Sequence, residues 1–120
     1  MKIQESGENY LETILLLQKE RGTVRSVDIV AELRYSKSSV SRAVGILKKA
    51  GFIAVDGAGV ITFTDEGRAR VERLYERHLV LTRFLEGLGV DRETAEEDAC
   101  RIEHVISDKV YAVIRSKAGD

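Results

Sequence analysis

A chain of 120 residues, 43% of them apolar and 32% charged, is long enough for one compact unit or for two very small ones sharing a core. Its single cysteine excludes an intramolecular disulfide and a four-cysteine zinc site, and no apolar run is long enough to cross a bilayer, so no membrane partner is expected. The formal net charge of −1 excludes a generally basic, sticky protein, and Met1-Lys2-Ile3-Gln4-Glu5 lacks the apolar core of a signal peptide, so the expected location is the cytoplasm.

The first predicted helix runs from about Ser6 to Arg21, with Tyr10, Leu11, Ile14, Leu15 and Leu17 as its apolar stripe and Gly22 as its stop. A short second helix, Val27 to Leu33, is expected to take Ser26 as its N-cap and to turn Ile29, Val30 and Leu33 inward. After the turn Arg34-Tyr35-Ser36, a third helix from Lys37 to about Ala50 is capped by Ser36, buries Val40, Val44 and Leu47, and stops at Gly51. Two β-favouring runs, Phe52 to Val55 and Val60 to Phe63, flank the turn Asp56-Gly57-Ala58-Gly59 and read as a hairpin. Thr64 caps a long fourth helix, about Asp65 to Leu85, broken by Gly87 and Gly89. Asp91 opens a fifth helix that ends near Ile106, and Ser107 caps a sixth reaching about Ser116.

This order predicts a mostly α fold, a winged helix-turn-helix with a helical extension. The expected domains are residues 1–64 and 65–120. In a helix-turn-helix the second helix enters the major groove of DNA and its first turns meet the base edges. Lys37, Ser38, Ser39, Ser41 and Arg42 occupy those turns. Small hydroxyls permit close approach, and an arginine can grip guanine through two hydrogen bonds. Lys48 and Lys49 lie further along, where phosphate is the expected contact. From Arg34 to Lys49 there are five bases and no acid, whereas acids predominate from Glu86 to Asp108. Such asymmetry assigns one surface to an anionic partner and another to cations. The wing tip, Asp56 to Gly59, has no basic residue, so only backbone contact is expected of it.

The acidic half contains Cys100-Arg101-Ile102-Glu103-His104. Positions i, i+3 and i+4 share one helix face, so a thiolate, a carboxylate and an imidazole converge, three groups that donate electron pairs to a transition metal. Asn9 and Glu12, at i and i+3 of the first helix, add an amide oxygen and a carboxylate, and His78 in the fourth helix adds an imidazole. A metal set and a DNA reader in one small chain point to a metal-controlled transcription factor rather than an enzyme. A thiol on a regular helix four residues from its base is poorly placed as a nucleophile, and no oxyanion donor is apparent. Two other readings fit the same residues: a metal-independent winged-helix regulator responding to a small ligand or to thiol oxidation at Cys100, and a helical interaction module with a solvated acidic face.

The stretches Glu8-Asn9-Tyr10-Leu11-Glu12-Thr13-Ile14, Ser38-Ser39-Val40-Ser41, Thr64-Asp65-Glu66-Gly67 and the run from Asp98 to Asp108 resemble the diphtheria toxin repressor family of iron- and manganese-dependent repressors, which includes the manganese transport regulators. The similarity spans nearly the whole chain and looks like the short members that lack the SH3-like domain. The resemblance implies a homodimer whose winged helices bind a palindromic double-stranded DNA operator when Fe²⁺ or Mn²⁺ is bound, the helical extension serving dimerisation. It also implies a main site of Asn9, Cys100, Glu103 and His104. Asn9 falls where iron-type members have Met and manganese-type members have Asp. Cys100 agrees with the iron type, Glu12 with the manganese type, and His78 with both. At the ancillary site of iron-type members this chain has Thr82 and Glu96 where Glu and His are expected. A second ion would instead involve Glu12, His78 and the main-site carboxylate. The thiolate favours Fe²⁺, Co²⁺ or Zn²⁺, while the carboxylates and amide suit Mn²⁺. Fe²⁺ is the first expectation and Mn²⁺ the second, with Co²⁺, Ni²⁺ or Zn²⁺ as possible occupants in vitro.

Overall fold

The computed structural model describes residues 5–118. In chain order they form α1 (Glu5–Arg21), α2 (Ser26–Leu33), α3 (Lys37–Lys49), β1 (Ile53–Val55), β2 (Ile61–Phe63), α4 (Asp65–Gly87), α5 (Arg92–Ile102) and α6 (Asp108–Ala118). This is the mostly helical order expected, with a hairpin after the third helix. The chain divides into two compact units, the first ending at Val71 and the second beginning at Glu72. Among the described residues no helix is long and apolar enough to cross a membrane.

In the first unit the whole stripe of α1 is buried: Tyr10, Leu11, Ile14, Leu15 and Leu17. Ile29 of α2 and Val40, Val44 and Leu47 of α3 join this core, together with Phe52, Ile53 and Ile61 of the hairpin region. Each such side chain contributes about 1.5–3 kcal/mol by leaving water, so the three-helix unit rests on its apolar spacing. Val30 and Leu33 are only half-buried. The N-cap of α2 differs from expectation. Arg25 takes the cap position, and its backbone N–H donates to Asp28 Oδ2 at 2.9 Å, while Ser26 is the first helical residue. A carboxylate three residues into the helix reaches back to the cap amide, so the hydroxyl of Ser26 is not needed there.

The turn after α2 places Arg34 in the left-handed region, φ 58° and ψ 32°, with its N–H donating to the Val30 carbonyl at 2.8 Å. Among the described residues it is the sole non-glycine with positive φ, a conformation that costs a residue bearing a Cβ about 1–2 kcal/mol. Ser36 then caps α3 as expected, its hydroxyl accepting from the Ser39 N–H at 3.1 Å.

The strands pair antiparallel in the register Ile53↔Phe63, Ala54↔Thr62, Val55↔Ile61. The Asp56 carboxylate closes the turn by accepting from the Ala58 and Val60 amides, each at 2.9 Å. Val24 bridges to Ile61 on the other side, and Arg25 Nε donates to the Ala58 carbonyl at 3.0 Å. The loop before α2 therefore holds both the base and the tip of the wing. Thr64 joins the wing to α4: its hydroxyl donates to the Gly51 carbonyl at 2.6 Å and accepts from the Gly67 N–H at 3.0 Å. At Gly67 any Cβ would overlap the Phe52 carbonyl. That close approach requires glycine.

In the second unit Leu74, Leu81 and Thr82 of α4, Ala95 and Ala99 of α5 and Tyr111 of α6 are buried. Asp91 caps α5 by accepting from both the amide and the hydroxyl of Thr94, each at 3.0 Å. Ser107 caps α6 through the Val110 N–H at 3.1 Å. Arg77 joins α4 to the segment between α5 and α6: it donates to the Ile106 carbonyl at 3.2 Å, pairs with Asp108, and stacks over the Tyr111 ring at 4.8 Å. Helix α5 stops at Ile102, short of the expected end near Ile106. Residues 103–105 form a turn instead, and the Val105 N–H reaches back only three residues, to Ile102.

Candidate metal centre and DNA-reading face

Cys100 lies on the last turn of α5, and Glu103 is the C-cap, still right-handed at φ −57° and ψ −26°. The helical spacing therefore persists through Glu103 although the helix has formally ended. Sγ of Cys100, a carboxylate oxygen of Glu103 and a ring nitrogen of His104 all lie within 4.8 Å of one another. Donors on one ion are separated by about 3–4.5 Å when each bond is about 2.0–2.3 Å, so a small closure of these side chains suffices to surround a cation. His78, from the middle of α4, completes the cluster: its Nδ1 is 3.0 Å from Glu103 Oε2. His104 Nε2 is 3.5 Å from Glu103 Oε1.

Burial gives this cluster its chemical character. The Glu103 side chain is 0% exposed and that of His104 1%, against 22% for His78. A carboxylate that far from water is costly unless positive charge or hydrogen-bond donors face it. Two imidazoles flank Glu103 here, and a thiol adjoins it. A buried carboxyl group with two imidazoles and a thiol beside it is a donor set that fits a divalent cation.

Asn9 and Glu12 stand one turn apart on α1, in the first unit, both half-buried, with one Glu12 carboxylate oxygen out of contact with water. His78, Cys100, Glu103 and His104 are brought together within the second unit.

Thr82 is 4% exposed and its hydroxyl donates to the His78 carbonyl at 2.8 Å. Glu96 accepts from Arg92 Nε at 3.1 Å, and Arg92 Nη1 is 3.6 Å from Glu86. These groups line a cavity of about 150 Å³ with His78, Leu79 and Arg83. Arg92 already serves both carboxylates there, so cationic charge is supplied. The sequence alone did not point to Arg77, which fixes the segment just beyond His104. Its partners are distant in the chain, and no local pattern marks them.

On the other unit Lys37, Ser38, Ser39, Ser41, Arg42, Lys48 and Lys49 are all exposed. Their spacing puts Ser38, Arg42 and Lys49 opposite the buried Val40, Val44 and Leu47, with Ser41 and Lys48 on the flank. The hydroxyls of Ser38 and Ser39 lie 3.2 and 2.9 Å from that of Ser36, a cluster at the exposed start of α3. From Arg34 to Lys49 the turn and α3 form a basic segment that contains no acid.

Comparison with known proteins agrees with both halves. Residues 2–59 match the model described as iron dependent repressor, N-terminal DNA binding domain. Residues 64–120 match iron dependent repressor, metal binding and dimerisation domain. An uncharacterised HTH-type transcriptional regulator of Methanocaldococcus jannaschii is 31% identical over 110 residues, covering 90% of this chain and 88% of that protein. The HTH-type transcriptional regulator MntR of Lysinibacillus sphaericus is 36% identical over 102 residues, covering 85% of this chain and 73% of that one. A solved structure described as a manganese-dependent transcriptional repressor in complex with manganese superposes with a TM-score of 0.84 at 28% identity, over 94% of this chain and 52% of that one. The chain thus spans about half the length of that solved repressor. With both family domains matched in order, this chain belongs to the iron-dependent, or diphtheria toxin repressor, family of metal-dependent transcriptional regulators.

Proposed function

We propose that this chain is a repressor of metal-homeostasis genes that binds a palindromic operator as a homodimer when Fe²⁺ or Mn²⁺ is bound. The observation that carries this reading is the Cys100–Glu103–His104 set around a buried carboxylate, joined by His78, in a chain whose other unit is a winged helix-turn-helix. Cys100, Glu103 and His104 would hold the ion with Asn9, with Glu12 and His78 as further candidate ligands. A divalent cation there would supply positive charge to the buried Glu103 carboxylate.

The protein's own groups do the rest. Arg77 pins the segment after His104, so the donors at 103 and 104 are held to α4. Asn9 and Glu12 are fixed to the DNA-reading unit because their helix contributes Tyr10, Leu11 and Ile14 to its core. Metal ligation by Asn9 and Glu12 would therefore restrain α3 through this shared core. In a dimer, two such helices read successive major grooves about 34 Å apart, and the restraint favours DNA only by the difference in metal affinity between the DNA-competent state and the others. The thiolate favours Fe²⁺. The similarity to a solved manganese-dependent repressor supports Mn²⁺ as the second choice. Thr82's hydroxyl is committed to the His78 carbonyl and Arg92 already serves Glu96 and Glu86, which argues against an ion at the ancillary position.

The test uses a DNA duplex enriched from a random-sequence pool by the unaltered chain in Mn²⁺. Under anaerobic titration with Fe²⁺ or Mn²⁺, Cys100→Ala and His104→Ala should keep a native circular dichroism spectrum and lose metal-dependent binding. Unchanged activation in both would remove these residues from the site.

A further inference from the structure

Arg34 is exposed and left-handed at the turn that delivers α3. Glycine or asparagine occupies this conformation at little cost, whereas arginine must absorb a steric penalty. The bond from its backbone N–H to the Val30 carbonyl forms whichever residue stands there, so it does not select arginine. Among the described residues the guanidinium makes no ion pair and donates to no carbonyl of α2, although basic side chains near a helix C-terminus often do so. Among the described residues nothing selects arginine over glycine or asparagine at this turn.

Its setting identifies the partner's chemistry. Arg34 stands two residues before the N-cap of α3 and opens the acid-free segment that continues through Lys37, Arg42, Lys48 and Lys49. A flexible, always-charged guanidinium beside the entry point of a groove-reading helix is matched by a phosphate oxygen, which it can hold through two parallel hydrogen bonds. We infer that Arg34 is a DNA-backbone contact, set beside α3 by the strained turn, and that it contributes affinity without base preference. The inference rests on the DNA-binding reading above and adds a residue outside α3 and the wing.

A phosphate contact has a signature that a purely structural residue lacks. Each neutralised phosphate contributes about 0.9 to the slope of log affinity against log salt, which is roughly an eightfold change in affinity at 0.1 M salt. Metal-loaded Arg34→Gly and Arg34→Asn should bind the enriched duplex more weakly by about that factor for each protomer in contact, with the slope reduced by about 0.9 per protomer. Both should melt no lower than the unaltered chain, because both residues suit the left-handed turn. Arg34→Lys should hold the slope. Unchanged affinity and slope in both charge-removing variants, with the unaltered chain binding normally, would overturn the assignment of Arg34 alone. Failure of the unaltered chain to enrich any duplex would overturn the DNA reading and this inference with it.

Discussion

Single residues set limits that neighbours cannot relax. Gly67 is one: a side chain there meets the Phe52 backbone, which is itself held by the core and by Thr64. Gly67→Ala is expected to cost about 1–3 kcal/mol or more, read as a fall in melting temperature of several degrees, whereas an alanine at the open Gly45 should have no such effect. Asp91 offers a test of sign. The amide and hydroxyl of Thr94 donate to its carboxylate and lower its pKa from 3.8. A depressed carboxylate stabilises the fold above its unfolded pKa and loses that contribution as pH falls through the folded value. The melting temperature of the unaltered chain should therefore drop relative to that of Asp91→Asn as pH is taken from about 5 to about 2. Parallel curves would mean that the charge of this cap carries no stability. At Tyr111 the direction is the opposite: burial pushes the phenol up, and Glu76 adds to it.

Elements are delimited by caps, and their buried stripes orient them. α3 depends on both. Ser36→Ala removes the hydroxyl that accepts the Ser39 amide and should cost about 0.5–2 kcal/mol, measurable by urea denaturation without metal or DNA. On the opposite face, Arg42→Ala should leave stability unchanged and weaken binding to the enriched duplex by about 1–3 kcal/mol if Arg42 grips a base in bidentate fashion. Unaltered affinity would remove it from the reading surface. The local signals for these elements were largely legible. Val40, Val44 and Leu47 repeat at helical spacing, and Ser36, Thr64, Asp91 and Ser107 stand where caps are needed. Two boundaries were not. α2 is capped from Arg25 because Asp28 folds back, and α5 stops at Ile102 because the turn at 103–105 redirects the chain to Arg77. Neither competing interaction is visible in the residue next to the boundary.

For the molecule as a whole, the proposed function ties stability to an ion. A ligand that binds only the folded state stabilises it by about 2.7 kcal/mol at a hundredfold excess over its dissociation constant. Mn²⁺ or Fe²⁺ should therefore raise the melting temperature in a concentration-dependent way, chelation should reverse the rise, and Cys100→Ala should abolish it. A melting temperature indifferent to all three conditions would sink the metal reading while leaving the winged helix intact.

The sequence by itself determined the order of the elements, the faces they bury, the acid-free surface of α3 and the convergence of Cys100, Glu103 and His104. Each of these depends on spacing within a few residues, where backbone geometry alone fixes which side chains share a face. Only the tertiary structure decided that His78 meets Glu103, that Glu103 is withdrawn from water, that Arg77 secures the end of α5 and that Arg34 bears a left-handed turn. Those outcomes arise from groups far apart in the chain, or from strain that the surrounding fold imposes, and local periodicity carries no record of either.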